Sequence, residues 1–265
     1  MRGFGMGLKV MALAAACLLA ACGDDRFPDY HYKMTVYAGG KAYSSVRAVE
    51  VKEVSSIVDS GGSTVKRRVQ GEAVIIDLPG GQTAYALLTR PDNADYAQFA
   101  PGMALSPHIP KAPVPGEAGQ AIKDYKEEHA RSQDSFGDAA DGLQQMVKVK
   151  GPRDLPRTLP PRNGRPPMQA WPMFVSFGDP KDPKSVREVS PESIGVSRIT
   201  IEITDEDVTT GIEKRLGWLP EYYGRQLSGE RFQSLDGAKK NGLAAVMSSG
   251  AFSAGNGLSP YTGRD

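Results

Sequence analysis

The chain has 265 residues, with 32 Lys and Arg against 31 Asp and Glu, and 40% of its residues are hydrophobic. A formal charge of +1 argues against a dedicated nucleic-acid binder, whose composition advertises a basic face. The 30 glycines follow no period and apolar runs recur, which excludes a collagen-like or wholly disordered chain. At the start of the chain, Arg2 and Lys9 make a positive region, and Val10 to Leu19 make an uncharged apolar run ending in small residues. Residues 1–21 therefore read as an export signal. The apolar run is too short to span a bilayer.

The next residues, Leu19-Ala20-Ala21-Cys22-Gly23, resemble the lipobox of bacterial lipoproteins. The resemblance implies cleavage before Cys22, a diacylglycerol on its thiol and an acyl chain on its new amino group. An ordinary secretory cleavage site is the alternative. A thiol suits that position because a thiolate is the nucleophile that forms the thioether. Two or three chains give lasting attachment where one gives only reversible binding, at about 0.8 kcal/mol per buried methylene. Gly23 after the cysteine implies sorting to the periplasmic face of the outer membrane, while Asp24 and Asp25 keep the inner membrane as the alternative. Cys17 lies in the discarded segment, so Cys22 is the one cysteine of the mature chain. Disulfides and thiolate metal sites within one mature chain are thereby excluded. Residues 22–29 read as a tether, with Gly23 to Asp29 reaching about 25 Å when extended.

Beyond the tether the sequence predicts a mainly β fold, an antiparallel meander or sandwich with one or two short helices and long proline-rich loops, with α+β as the alternative. Alternation over Tyr30 to Tyr37 and Ala42 to Val54, around Gly39-Gly40, predicts a hairpin. Val65 to Val69, Ala73 to Leu78 and Thr83 to Thr89 complete a five-stranded meander. Pro101 to Pro115 and Pro152 to Pro172 are proline-dense and read as extended backbone. Between them Ala118, Ile122, Tyr125 and His129 have helical spacing. Trp171 to Phe177 and Ser197 to Thr204 read as strands, the second with Ile199, Ile201 and Ile203 on one face. Thr210 and Glu213 have capping-box spacing for a short helix through Leu216. The expected organisation is one domain over residues 30–220, including a proline-rich basic segment at 148–172, followed by a Gly/Ser-rich, partly ordered tail at 221–265.

Several stretches are similar to one family of uncharacterised exported proteobacterial proteins: Gly71 to Gly81, Asp179-Pro180 to Val189, Ile199 to Leu219 with Thr209-Thr210-Gly211-Ile212-Glu213-Lys214-Arg215-Leu216, and Gly250 to Ser253. The likeness spans most of the mature chain. It implies one continuous fold and carries no activity.

No catalytic or metal-binding set emerges, and no cofactor is expected. His31, His108 and His129 lack HxxxH or HExxH spacing. Ala251-Phe252-Ser253-Ala254-Gly255 departs from the G-x-S-x-G elbow, and Ser63-Thr64-Val65-Lys66 lacks the K-T-G partner of S-x-x-K enzymes. Glu202, Asp205, Glu206 and Asp207 cluster at the end of the isoleucine strand, where carboxylates could split their pKa values or hold Ca²⁺; a solvated turn is the simpler reading. Lys148, Lys150, Arg153, Arg157, Arg162 and Arg165 against Asp154 form a basic, extended stretch suited either to anionic lipid headgroups or to a solvated linker. The expectation is a lipid-anchored, non-catalytic binding or scaffolding module of the cell envelope, with an envelope protein as partner and no nucleic acid. An accessory subunit of a secretion or surface-assembly system, or a tethered carboxylate-dependent hydrolase, is the alternative.

Overall fold

A computed structural model describes residues 27–55, 63–105, 137–161, 166–230 and 242–255. The fold is mainly β and antiparallel, as the alternation predicts. Strand β1 (Tyr30–Ala38) buries every second residue, Tyr30, Tyr32, Met34, Val36 and Ala38. It turns at Gly39 and Gly40, whose φ values of 56° and 77° suit a two-residue hairpin, into β2 (Lys41–Ser55). Then come β3 (Ser63–Glu72), β4 (Val74–Asp77) and β5 (Thr83–Ala86).

The expected five-stranded meander is divided between two sheets. β3 pairs with β2, whereas β4 pairs with β5 in another layer. The crossing falls at Gly71, which has φ 133°; a Cβ there would lie 3.0 Å from Arg47 Cγ and 3.1 Å from the Val46 carbonyl oxygen. Only glycine lets the strand pass this close to β2 and leave the sheet.

The larger sheet has the order β12-β3-β2-β1-β11-β6, with β6 at Arg153–Asp154, β11 at Val196–Thr204 and β12 at Ser253–Ala254. The smaller one runs β10-β9-β5-β4, with β9 at Phe174–Phe177 and β10 at Val186–Glu188. A short hairpin joins β7 (Thr158–Leu159) to β8 (Met168–Gln169). The inner face of the large sheet (Tyr32, Met34, Val36, Ile199, Ile201) meets Val74, Ile76, Ala84 and Phe174 of the small one in a first core. The opposite face of the small sheet (Tyr85, Val175, Phe177) is covered by Ile212, Leu216, Trp218, Leu227, Met247 and Phe252 in a second. Tyr85, Phe177, Trp218 and Phe252 meet there mostly edge to face, at centroid distances of 5.5–6.2 Å.

Helix α1 (Tyr96–Leu105) runs into the start of the proline-dense stretch expected to be extended from Pro101, and carries Pro101 inside it. Proline at 101 has no N–H to give to the Ala97 carbonyl, and the Tyr32 hydroxyl donates to that oxygen instead, at 2.7 Å. A tertiary bond thus replaces the missing helical one. Helix α2 (Gly137–Met146) packs Ala140, Leu143 and Met146 into the first core. The helix expected around Ala118 to His129 lies outside the described residues.

The capping-box helix is a single 3-10 turn at Ile212–Lys214. Its free amides are taken by the Glu72 carboxylate, which accepts from Gly211 N at 2.8 Å and Ile212 N at 2.9 Å, and no side-chain cap forms. In the segment expected as a partly ordered tail, the described residues contribute Leu227, Ala244, Met247, Ala251 and Phe252 to the second core, where α3 (Leu243–Val246) lies. Their apolar residues are spaced by Gly and Ser, so composition hides them.

Candidate functional site

A tight turn, Arg90 to Asn93, stands between two clefts. It is closed by Arg90 N donating to Asn93 O at 3.0 Å and Asn93 N to Arg90 O at 3.2 Å. The Arg90 side chain is 5% exposed. Its Nε and Nη2 donate to Asp92 Oδ1 and Oδ2 at 2.9 and 2.7 Å, the paired geometry in which Arg binds a carboxylate most firmly. Its Nη1 is buried and has no partner among the described residues. The guanidinium lies 5.8 Å from the centre of the Tyr96 ring, and the Tyr96 hydroxyl donates to Ala170 O at 2.9 Å. Burial holds the Tyr96 hydroxyl far above its ordinary value, so it stays a donor.

On one side of the turn a cleft of about 410 Å³ is walled by Trp171, Met173, Phe174 and Val189. Trp171 Nε1 donates to Leu155 O at 2.9 Å, and the Arg157 guanidinium covers its ring at 5.5 Å while pairing with Glu192. On the other side a cleft of about 550 Å³ is walled by Met173, Leu243, Met247, Ala251 and Val246, the last 59% exposed. Both volumes lie in the range of small-ligand or side-chain pockets. Neither wall carries a His, Cys or Lys among the described residues. The walls mix apolar side chains with polar ones: Arg90 pairs with Asp92 and Arg157 with Glu192, while Gln169, Glu188 and Ser190 also line the first cleft and Thr89, Asn93 and Ser248 the second. Clefts of this size can take a small ligand or a side chain.

Of the candidate site residues singled out in the sequence, Arg157 alone among those described lines either cleft. Leu19, Ala20, Ala21 and Cys22 lie outside the described residues, as do Arg162, Arg165, His108 and His129. In the acidic group, Lys33 bridges Glu202 at 3.1 Å and Glu206. Its ammonium is held above the usual lysine value by hydrogen bonds to Glu206 and then Glu202. His31 Nδ1 lies 2.9 Å from the Glu206 carbonyl oxygen. Asp205 and Asp207 stand exposed. Among the described residues no three His, Cys, Asp or Glu side chains are placed to hold a metal ion.

Of the basic stretch, Lys148, Lys150, Arg153 and Arg157 are exposed. Arg153 lies on β6, opposite Ile201, and Arg157 belongs to the Trp171 cleft. Ser253 is 1% exposed on β12, opposite Glu72. The Arg90 groove was missed in sequence. A Pro-Asp-Asn turn is an ordinary turn signal, and nothing local marks an arginine that will be buried.

No family model, curated protein or solved structure matches the chain.

Proposed function

We propose that this protein is a lipid-anchored cell-envelope protein whose folded body is a non-catalytic binding module facing the periplasm. The observation that carries the reading is the spacing of its first residues. Leu19-Ala20-Ala21-Cys22 follows an apolar run with a basic start, and Phe27, five residues after Cys22, is already 6% exposed in the first core. An acylated Cys22 would therefore hold the body close to a bilayer on a very short lead. The two clefts beside Arg90 support the binding role, because each has the volume of a small-ligand or side-chain pocket and carries apolar side chains on its wall. The outer membrane is the favoured location and the inner membrane the alternative; an envelope protein is the favoured partner.

Growth with labelled palmitate tests the anchor. The wild type incorporates label and sediments with membranes, whereas Cys22→Ala is unlabelled and is not processed in the same way. An unlabelled wild type, or a Cys22→Ala variant processed and located like it, contradicts the proposal.

A further inference from the structure

We infer that the β3 and α1 side of the body, presenting Arg67, Arg68 and Phe99, is the face that docks on anionic phospholipid headgroups. The inference rests on the anchor proposed above. Five Cα steps separate Cys22 from Phe27, so the anchored atom lies within about 18 Å of Phe27 whatever path the chain takes. β1 has nine residues and so measures about 30 Å. From Tyr30 the eight steps back to Cys22 would reach the Ala38 end only at full stretch alongside the strand, so the Tyr30 end is the one we place at the bilayer.

At that end the sheet is electrically lopsided. The β2 and β3 hairpin runs past the start of β1, since Tyr30 pairs with Val49 and the ladder continues from Val51–Arg67 through Ser55–Ser63. Asp29 Oδ1 accepts from Val51 N at 2.7 Å, which ties the incoming chain to the root of this arm. The arm carries Lys52, Lys66, Arg67 and Arg68. Lys52 and Lys66 face each other directly, and of the two acids Glu50 is bridged to Lys52 at 2.8 Å while Glu53 is exposed. On the other side of β1, strand β11 ends opposite His31 at Thr204 and runs into the exposed Asp205 and Asp207. Three strand spacings, about 14 Å, separate the basic edge from the acidic one. An anionic surface attracts the first and repels the second, so the body tilts onto β3.

Along the same β3 edge, on the face of Arg67, stands an exposed aromatic ring. Phe99 of α1 is 43% exposed, and the Arg67 guanidinium lies 5.5 Å from its centre. An aromatic ring beside a cation suits the boundary between acyl chains and headgroups. Beside it a cleft of about 280 Å³ opens, lined by Arg67, Arg68, Gln98, Gly250 and Gly255, with Asp95 the carboxylate on its wall. Asp95 accepts from Gln98 Nε2 at 2.9 Å. Both arginines line this cleft, Arg67 with its guanidinium over Phe99 and Arg68 from the strand position opposite Glu50, so the β3 edge carries cations on both of its faces.

The test uses the full-length protein, purified with its native anchor. Because Cys22 is blocked by the lipid and Cys17 is removed, Phe99→Cys and Asp205→Cys each offer one reactive thiol for an environment-sensitive dye. Both proteins are placed in vesicles of phosphatidylethanolamine and phosphatidylglycerol, and flotation is measured first. The expected result is that both float, and that the dye at 99 is shielded from an aqueous quencher at least about threefold better than the dye at 205, as for a group seated in the headgroup layer. Arg67→Gln with Arg68→Gln, or neutral phosphatidylcholine vesicles, should shrink that difference. Flotation with equal shielding at both positions overturns the docking face and leaves the anchor standing. Failure of the wild type to float removes both.

Discussion

Glu72 is the residue on which two layers of the molecule meet. Its side chain is 1% exposed, and its carboxylate accepts from the amides of Gly211 and Ile212, while its backbone carbonyl accepts from Ser45 Oγ at 2.7 Å and Arg47 Nε at 3.2 Å. Burial raises the Glu72 pKa, and the two amide bonds only partly offset that. A raised native-state value means that the folded protein holds the proton more tightly than the unfolded chain does. Its contribution to stability is therefore complete below the ordinary value of 4.5 and is lost as pH rises through the raised one. Glu72→Gln keeps one acceptor oxygen and turns an NH2 toward a backbone N–H, a loss of about 1–3 kcal/mol near neutral pH. The deficit should widen as pH is lowered from 7 toward 4.5. Denaturant melts of both proteins across that range check the sign, and a deficit that narrows on acidification contradicts it.

Among the elements, α1 shows how a local signal is overruled by tertiary structure. The Ala97 carbonyl, stripped of its helical donor by Pro101, depends on the Tyr32 hydroxyl. Tyr32→Phe should cost about 1–3 kcal/mol by leaving that oxygen buried without a donor. In a Pro101→Ala background residue 101 regains an N–H, so Tyr32→Phe should cost measurably less there. A denaturation cycle over the four proteins reads the coupling, and strictly additive effects would sink the idea. At the sheet crossing, Gly71→Ala combines a positive φ with a Cβ pressed onto the Arg47 backbone, and should destabilise by about 2–4 kcal/mol. An unchanged melting midpoint would show that the crossing tolerates a side chain. The strands were legible because alternation at β1 and β11 records which face is buried. The helix around Pro101 and the role of Glu72 were not, since each depends on a partner more than 60 residues away in the chain, and the division of the meander turns on the close approach of Gly71 to Arg47 and Val46 in another strand.

At the scale of the whole molecule, the second core is closed by residues that composition assigns to a loose tail. Phe252 is fully buried among Tyr85, Phe177 and Trp218, and the Ala73 and Leu88 amides donate to Phe252 O and Ala251 O at 2.8 Å each. Phe252→Ala should cost about 3–5 kcal/mol and alter the near-ultraviolet signal of the ring cluster. A loss below about 1 kcal/mol, the scale of an exposed substitution, would mean that the tail is dispensable. The candidate groove at Arg90 was illegible in sequence for the same reason as this core, because its walls come from residues 89–94, 171–174 and 243–251. The proposed lipid anchor is the reverse case, read wholly from a short run of sequence, and every proposed role depends on it. Mass spectrometry of the N-terminal peptide from the membrane-extracted native protein addresses it most directly. The account predicts a chain that begins at Cys22 and carries a diacylglycerol thioether with an acylated amino group. A chain that still begins at Met1, or an N-terminal Cys22 without lipid, would contradict it.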